Sequence, residues 1–347
     1  MKKKKRILLL LMMLCTAYFV YVQLLKQSKL VVGDYITLNQ TFTHHSDAVW
    51  EVKFAPNDTL MVSGGLENNT KIWNRVTGKV LHELPHEYGT PSVDFSPDGQ
   101  TVCTGSFDGK VRIWDVRTGQ LLTVFSGSED TIWSVSFSPD GKLIAAGGND
   151  DNVLVWNLAT GKLLHEFTEA EHNIWEVVFH PSGKLLAASG SDNAIRIYDL
   201  QKGVLIATLM GHSEVPHGLD FSPNGSLLAS GGDDKTVKIW STSDWKLLHT
   251  FQGENEAIHS VVFMDNDKVI AGGTDKKIFG EFLEYHFGFS GWTQPVIATL
   301  WDVKTAKILQ TISGHTNDLN LGMDVSPNKQ LLATPSDDKT IKLWTLH

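Results

Sequence analysis

The stretch FSPDGQTVCTGSFDGKVRIWD, running from Phe95 to Asp115, decides the fold. It opens on a turn phrase, Phe95-Ser-Pro-Asp-Gly99, in which Pro and Gly enforce a tight reversal. It closes on a short alternating run, Lys110-Val-Arg-Ile-Trp114, with the spacing of a β-strand. The turn phrase returns at Phe137–Gly141, Phe179–Gly183 and Phe221–Gly225. A Trp-like anchor returns with it, at Trp73, Trp114, Trp156, Tyr198, Trp240, Trp301 and Trp344, at intervals of 41, 42, 42, 42, 61 and 43 residues. Each copy holds four short apolar runs, and only the sixth copy is enlarged. A four-stranded unit of this size cannot bury both apolar faces alone, so the copies must pack face to face around an axis. Seven can close into a ring.

Over about nine tenths of its length the chain resembles the WD-repeat β-propellers. The dipeptide stands at Trp114-Asp115 and Trp301-Asp302, and its Gly-His partner at Gly211-His212 and Gly314-His315. The resemblance implies a hydrogen-bonded tetrad inside a blade. The matching sets are His45, Ser63, Glu67 and Trp73; His86, Thr104, Asp108 and Trp114; His212, Ser230, Asp234 and Trp240; and His315, Thr334, Asp338 and Trp344. These His-acid pairs are read as structural. The third and fourth copies carry Ala146 and Ala188 in place of the hydroxyl, so packing is expected to hold their blades. The last copy stops three residues after Trp344, and Tyr35–Phe42 matches the outer strand of the other copies. The expected fold is all-β, a seven-bladed propeller closed by an N-terminal strand and preceded by one transmembrane helix. The expected division is a basic tail at 1–6, a signal-anchor helix at 7–25, a tether at 26–33 and a propeller at 34–347 with an insertion at 277–298.

The anchor is read from Lys2, Lys3, Lys4, Lys5 and Arg6 preceding an apolar run from Ile7 to Leu25, which is close to the length that spans a bilayer. The heavier charge before the run places the N-terminus in the cytoplasm and the propeller outside it. The same run also suits a cleaved signal peptide, which would leave a secreted propeller. Seven of the 30 basic residues precede Leu30, leaving 23 against 39 acidic ones, a balance of −16. That charge argues against nucleic acid as a partner. Cys103 is the only cysteine of the propeller, so it contains no internal disulfide.

Motifs for catalysis are missing: no Gly-x-Ser-x-Gly elbow, no phosphate-binding loop and no paired Cys motif. Neither a cofactor nor a metal is expected, because no carboxylate accompanies His217 and His259 at ligand spacing. The Gly pairs, such as Gly147-Gly148 and Gly231-Gly232, read as turn residues. A recognition site is expected at one register, four residues before the turn-phrase Phe, which holds Trp50, Pro91, Trp133, Trp175, His217, His259 and Leu321. Strand alternation would put Trp50 on the face of Val52 and Phe54, where these indoles would only extend the packing. In the resembling family, however, this strand entrance lies at the rim of the central channel, and Trp is the residue type most enriched at binding hot spots. The insertion points to the same face with Phe279, Phe282, Tyr285, Phe287, Phe289 and Trp292. The leading expectation is a non-catalytic, membrane-tethered scaffold binding a protein or peptide at this rim. The alternatives are a channel-mouth enzyme or small-ligand binder, and an accessory subunit of an envelope complex.

Overall fold

Glycine sets the turns that make the chain repeat. Gly99, Gly141, Gly183 and Gly225 all hold φ between 68° and 72°, a region closed to most side chains. Each donates its N–H back across the turn, as Gly99 does to Ser96 O at 2.8 Å, and at Ser96, Ser138 and Ser222 the serine hydroxyl also accepts from the start of the next strand. Each turn phrase therefore forces two neighbouring strands antiparallel.

The computed structural model describes residues 33–252, 257–274, 296–317, 319 and 321–347. Within them lie seven four-stranded antiparallel sheets, six of them ordered along the chain from an inner strand at the channel to an outer strand at the circumference. Blades 1 to 5 occupy 49–85, 92–125, 132–167, 174–210 and 216–252, and blade 6 occupies 257–274 and 296–313. Blade 7 consists of Asp324–Val325, Leu331–Pro335 and Ile341–Leu346, with Ile36–Phe42 as its outer strand. Ile36 pairs with Leu346 and Phe42 with Ile341, so the N-terminal strand covers the edge that Ile341–Leu346 would otherwise expose and the two ends of the propeller close the ring.

The core lies between blades. Phe125 and Ile113 of blade 2 pack on Ile132, Phe137 and Trp156 of blade 3, and the same arrangement joins Phe42 and Leu343 to Val52, Phe54 and Trp73 across the closure. Hydrogen bonds lock the tetrads of blades 1, 5 and 7. Ser230 Oγ meets His212 Nε2 at 2.8 Å and receives Trp240 Nε1–H at 2.9 Å, while His212 Nδ1 lies 3.0 Å from Asp234. His315, Thr334, Asp338 and Trp344 repeat this geometry, and His45, Ser63, Glu67 and Trp73 do so with a glutamate. Blade 2 departs from expectation. His86 Nδ1 turns to Leu84 O at 2.8 Å, and Asp108 pairs with Arg112, whose guanidinium outcompetes a neutral imidazole for the carboxylate. Among the described residues no helix is long and apolar enough to cross a membrane. The expected span at 7–25 lies outside those residues.

Candidate functional site at the channel mouth

In five of the seven blades the ladder between the inner and second strands slips at one register. The slips fall between Val49 and Glu51, Ile132 and Ser134, Ile174 and Glu176, Pro216 and Leu219, and Ile258 and Ser260. A β-bulge inserts an extra residue and turns its side chain out of the alternation. Trp50, Trp133, Trp175, His217 and His259 all stand at these bulges. The face expected for Trp50 is therefore wrong: Val49, Glu51 and Val52 are all buried, whereas Trp50, Trp133 and Trp175 are half-buried and lie outside the inter-blade core.

The glycines opposite make the bulges sterically feasible. A Cβ on Gly65, Gly148 or Gly273 would lie 2.0 Å from the carbonyl oxygen of Ala48, Thr131 or Ala257. The expected turn role of Gly147-Gly148 and Gly231-Gly232 is corrected by this. They end the second strands Leu143–Gly148 and Leu227–Gly232 with φ outside the left-handed region; the close approach of the Ile174 and Ile258 side chains demands Gly147 and Gly231, and that of backbone carbonyls demands Gly148 and Gly232.

Side chains released by the bulges form an arc. Trp50 and Trp133 stack with centroids 5.8 Å apart and planes 26° apart, and Trp133 lies 5.1 Å from Trp175. The arc continues from Trp175 to His217 at 4.7 Å and from His217 to His259 at 4.9 Å. Blade 2 offers Pro91 at this register and contributes Phe107 instead, edge-on to both Trp50 and Trp133 at 5.6 and 5.7 Å. Each ring in the middle of the arc is pinned by the residue 16 positions downstream in its own blade. Trp133 Nε1 donates to Asn149 Oδ1 at 2.5 Å and Trp175 Nε1 to Ser191 Oγ at 2.8 Å. His217 Nε2 lies 3.1 Å from Asp233 Oδ1, and His259 Nε2 lies 3.8 Å from the same oxygen.

Asp233 overturns the expectation that no carboxylate stands beside the two histidines. The adjacent imidazoles of His217 and His259 hold its carboxyl well below the usual range. Phe107, Asn149, Ser191 and Asp233 occupy one register, and the constant offset from Pro91, Trp133, Trp175 and His217 was present in the sequence. Only the bulge, which brings the two registers together, was not.

Beneath the arc the channel narrows to a polar cavity of about 80 Å³ lined by Glu51, Lys53, Asp94, Glu176, Asp220 and Asp324. The carboxylates join blades. Asp324 accepts from Phe54 N at 2.7 Å, Asp94 from Phe137 N at 2.8 Å and Asp220 from Phe263 N at 2.7 Å. Glu51 accepts from Val93 N at 2.7 Å and Glu176 from Leu219 N at 2.6 Å. Burial pushes Asp94 and Asp220 up to about 7 and Glu176 up to about 8, against the opposing pull of Lys53 and these N–H groups. Lys53 Nζ lies 3.3 Å from Glu51 Oε1. Burial would lower its pKa, but Glu51, Asp324, Asp94 and Glu176 together hold it above the ordinary range. Sequence reasoning missed this cluster, because each member looks like an ordinary polar residue of a half-buried strand.

The family described as WD domain, G-beta repeat matches residues 36–74, 78–115, 119–157, 161–199, 203–241, 245–279 and 306–345, together well over half the chain. The chain belongs to the WD40-repeat family. Six of the seven WD40 matches run from an outer strand to the Trp strand of the next blade, so the first takes in Ile36–Phe42, the strand that closes the ring, whereas the sixth, 245–279, stops before the strand of Trp301. The break between 279 and 306 coincides with the enlarged sixth copy. Eukaryotic translation initiation factor 3 subunit I of Phaeosphaeria nodorum is 40% identical over 42 residues. That match covers 12% of this chain and 13% of that protein, about one repeat. The aromatic residues expected at the rim from the insertion, Phe282, Tyr285, Phe287 and Trp292, lie outside the described residues.

Proposed function

We propose that this WD40 propeller is a non-catalytic recognition scaffold that holds a protein or peptide partner on its channel-mouth rim. WD40 propellers typically act as protein-interaction scaffolds. One observation carries the placement: a continuous arc of half-buried rings, Trp50, Trp133 and Trp175 running into His217 and His259, displayed by bulges and excluded from the core. Pinned indoles lose little entropy on binding, and one buried at an interface contributes about 2 kcal/mol or more. The tether reading rests on sequence. Residues 7–25 anchor the chain in a membrane with residues 1–6 in the cytoplasm and the propeller outside it. The closing strand runs toward the rim, since Phe42 leads through His45 to Trp50. A tether over 26–33, at most about 28 Å long, therefore holds the opposite face to the membrane and turns the rim away.

The test is affinity capture from native membranes with the full chain, comparing wild type with the combined Trp50→Ala, Trp133→Ala and Trp175→Ala variant, whose fold is checked by circular dichroism. A partner retained by wild type and lost by the folded variant supports the rim; a partner retained by both refutes it. A reporter enzyme active only outside the cytoplasm, fused after His347, tests the tether, and an inactive but stable fusion refutes the orientation. A second reading, an accessory subunit docking by its circumference, is favoured by the exposed Leu121, Leu122, Leu163, Leu164, Leu247 and Leu248 on outer strands. Retention of partner by the triple variant, with loss on charge substitution at these leucines, would select it.

A further inference from the structure

We infer that His217, His259 and Asp233 form a binding site for one divalent metal ion of the zinc class at the channel mouth, with a coordination position left open to solvent. The donors come from three backbone segments of two adjacent blades: His217 from the inner strand Pro216–Phe221, His259 from the inner strand Ala257–Phe263 and Asp233 from the turn after Leu227–Gly232. Two imidazoles and one carboxylate are a donor set suited to zinc, cobalt and their neighbours.

The distances agree with this assignment. Two ligands each about 2.0–2.1 Å from a tetrahedral ion stand about 3.4 Å apart. Asp233 Oδ1 is 3.1 Å from His217 Nε2 and 3.8 Å from His259 Nε2, which bracket that value, and all three donor atoms lie within 4.8 Å of one another. His259 supplies the adjustment needed to close the set, because its side chain keeps 22% exposure against 10% for His217. The anchoring is rigid on the other side, where His217 packs against Trp175. Ligation through Nε2 leaves the proton of His217 on Nδ1, which has no hydrogen-bond partner among the described residues. The ring borders a void of about 10 Å³ walled by Trp133, Trp175 and Leu321 as well as by Ser92, Ser134, Glu51 and Glu176, about the size of one water, so a proton acceptor can be accommodated there. Asp233 is 36% exposed, and so the fourth position faces the mouth. A three-ligand site open on that side coordinates water, or a donor atom of whatever occupies the rim.

The experiment uses the full chain without a histidine tag, stripped of metal by a chelator. Cobalt(II) titration followed by visible absorption should show saturation at one equivalent with the intense bands of a low-coordinate site, and zinc should displace the cobalt. Asp233→Asn and His259→Gln should each weaken zinc binding by about tenfold or more, while the exposed His172→Gln leaves it unchanged. Zinc should raise the unfolding temperature of wild type and not of Asp233→Asn, a readout that needs no partner and is independent of the rim proposal. No cobalt uptake by wild type, or uptake untouched by both ligand substitutions, overturns the site.

Discussion

Replacing Asp220 with Asn should stabilise the protein at alkaline pH and do nothing of the kind at pH 4. Asp220 sits in the channel wall, accepts the Phe263 N–H at 2.7 Å, and burial raises its pKa from 3.8 to about 7. Below pH 3.8 the carboxyl is protonated in folded and unfolded chains alike, so the fold carries no penalty. Between 3.8 and 7 the unfolded chain ionises while the folded chain holds its proton, and stability falls by about 1.4 kcal/mol per pH unit. Above 7 the penalty is complete, about 4 kcal/mol if nothing relaxes and nearer 2 kcal/mol if channel water screens the charge. Asn keeps an oxygen to accept from Phe263 and removes the charge. The assay is thermal unfolding of both proteins from pH 4 to pH 9. The difference in unfolding temperature should grow through pH 5–7 and level off above about 8, reaching several degrees. A difference that does not change with pH, or a variant less stable than wild type at pH 9, would show that Lys53 and the channel compensate the Asp220 charge fully.

Ser230→Ala strands the buried Trp240 Nε1–H donor and leaves His212 Nε2 without its hydroxyl partner, and should cost about 2–4 kcal/mol in denaturant unfolding. Gly141→Ala meets nothing closer than Pro97 at 3.4 Å, so only its φ of 70° is strained; a loss of about 1–2 kcal/mol is expected, read the same way. Gly148→Ala drives a Cβ to 2.0 Å from Thr131 O and must move the bulge that displays Trp133; Trp fluorescence should shift and partner capture fall even where the fold survives. Lys53→Met removes the cation beside Glu51 and should destabilise the fold more at pH 8 than at pH 5, as the remaining carboxylates ionise without it.

The ring was legible because its signals are local and repeated. A Pro-Gly turn phrase and a Trp at constant spacing report strand reversal and blade packing directly, and the closing strand could be matched to its six equivalents. Three of the four tetrads were legible for the same reason. The fourth failed at Asp108 because Arg112, four residues on, offers the carboxylate a charged partner. What sequence could not give was the bulge. Period-two alternation assumes an unbroken ladder, and one inserted residue between Val49 and Glu51 reverses the face of everything before it. The register of Trp50, Trp133, Trp175, His217 and His259 was therefore legible from the repeat spacing, whereas the face of Trp50 and the neighbouring Asp233 were not.

Repetition makes the rim informative in a second way. Seven copies place seven residues in nearly one geometry, so a position that varies among them is released from the common demands of the blade. The turn-phrase Phe recurs in six blades and is buried in each. The equivalent register, bulged in five of the blades, runs from Trp through Pro to His and Leu around the same circle. A second register, 16 residues downstream, changes with it: Asn149 under Trp133, Ser191 under Trp175, Asp233 under His217. In each of these blades the partner suits its ring, an acceptor for an indole N–H or a carboxylate for an imidazole. Blade packing alone would require neither the polar pairing nor the change in chemistry from indole to imidazole around the arc. That co-variation within one chain is the strongest internal argument that the mouth is built to meet a ligand, with apolar rings on blades 1, 3 and 4 and nitrogen and oxygen donors on blades 5 and 6.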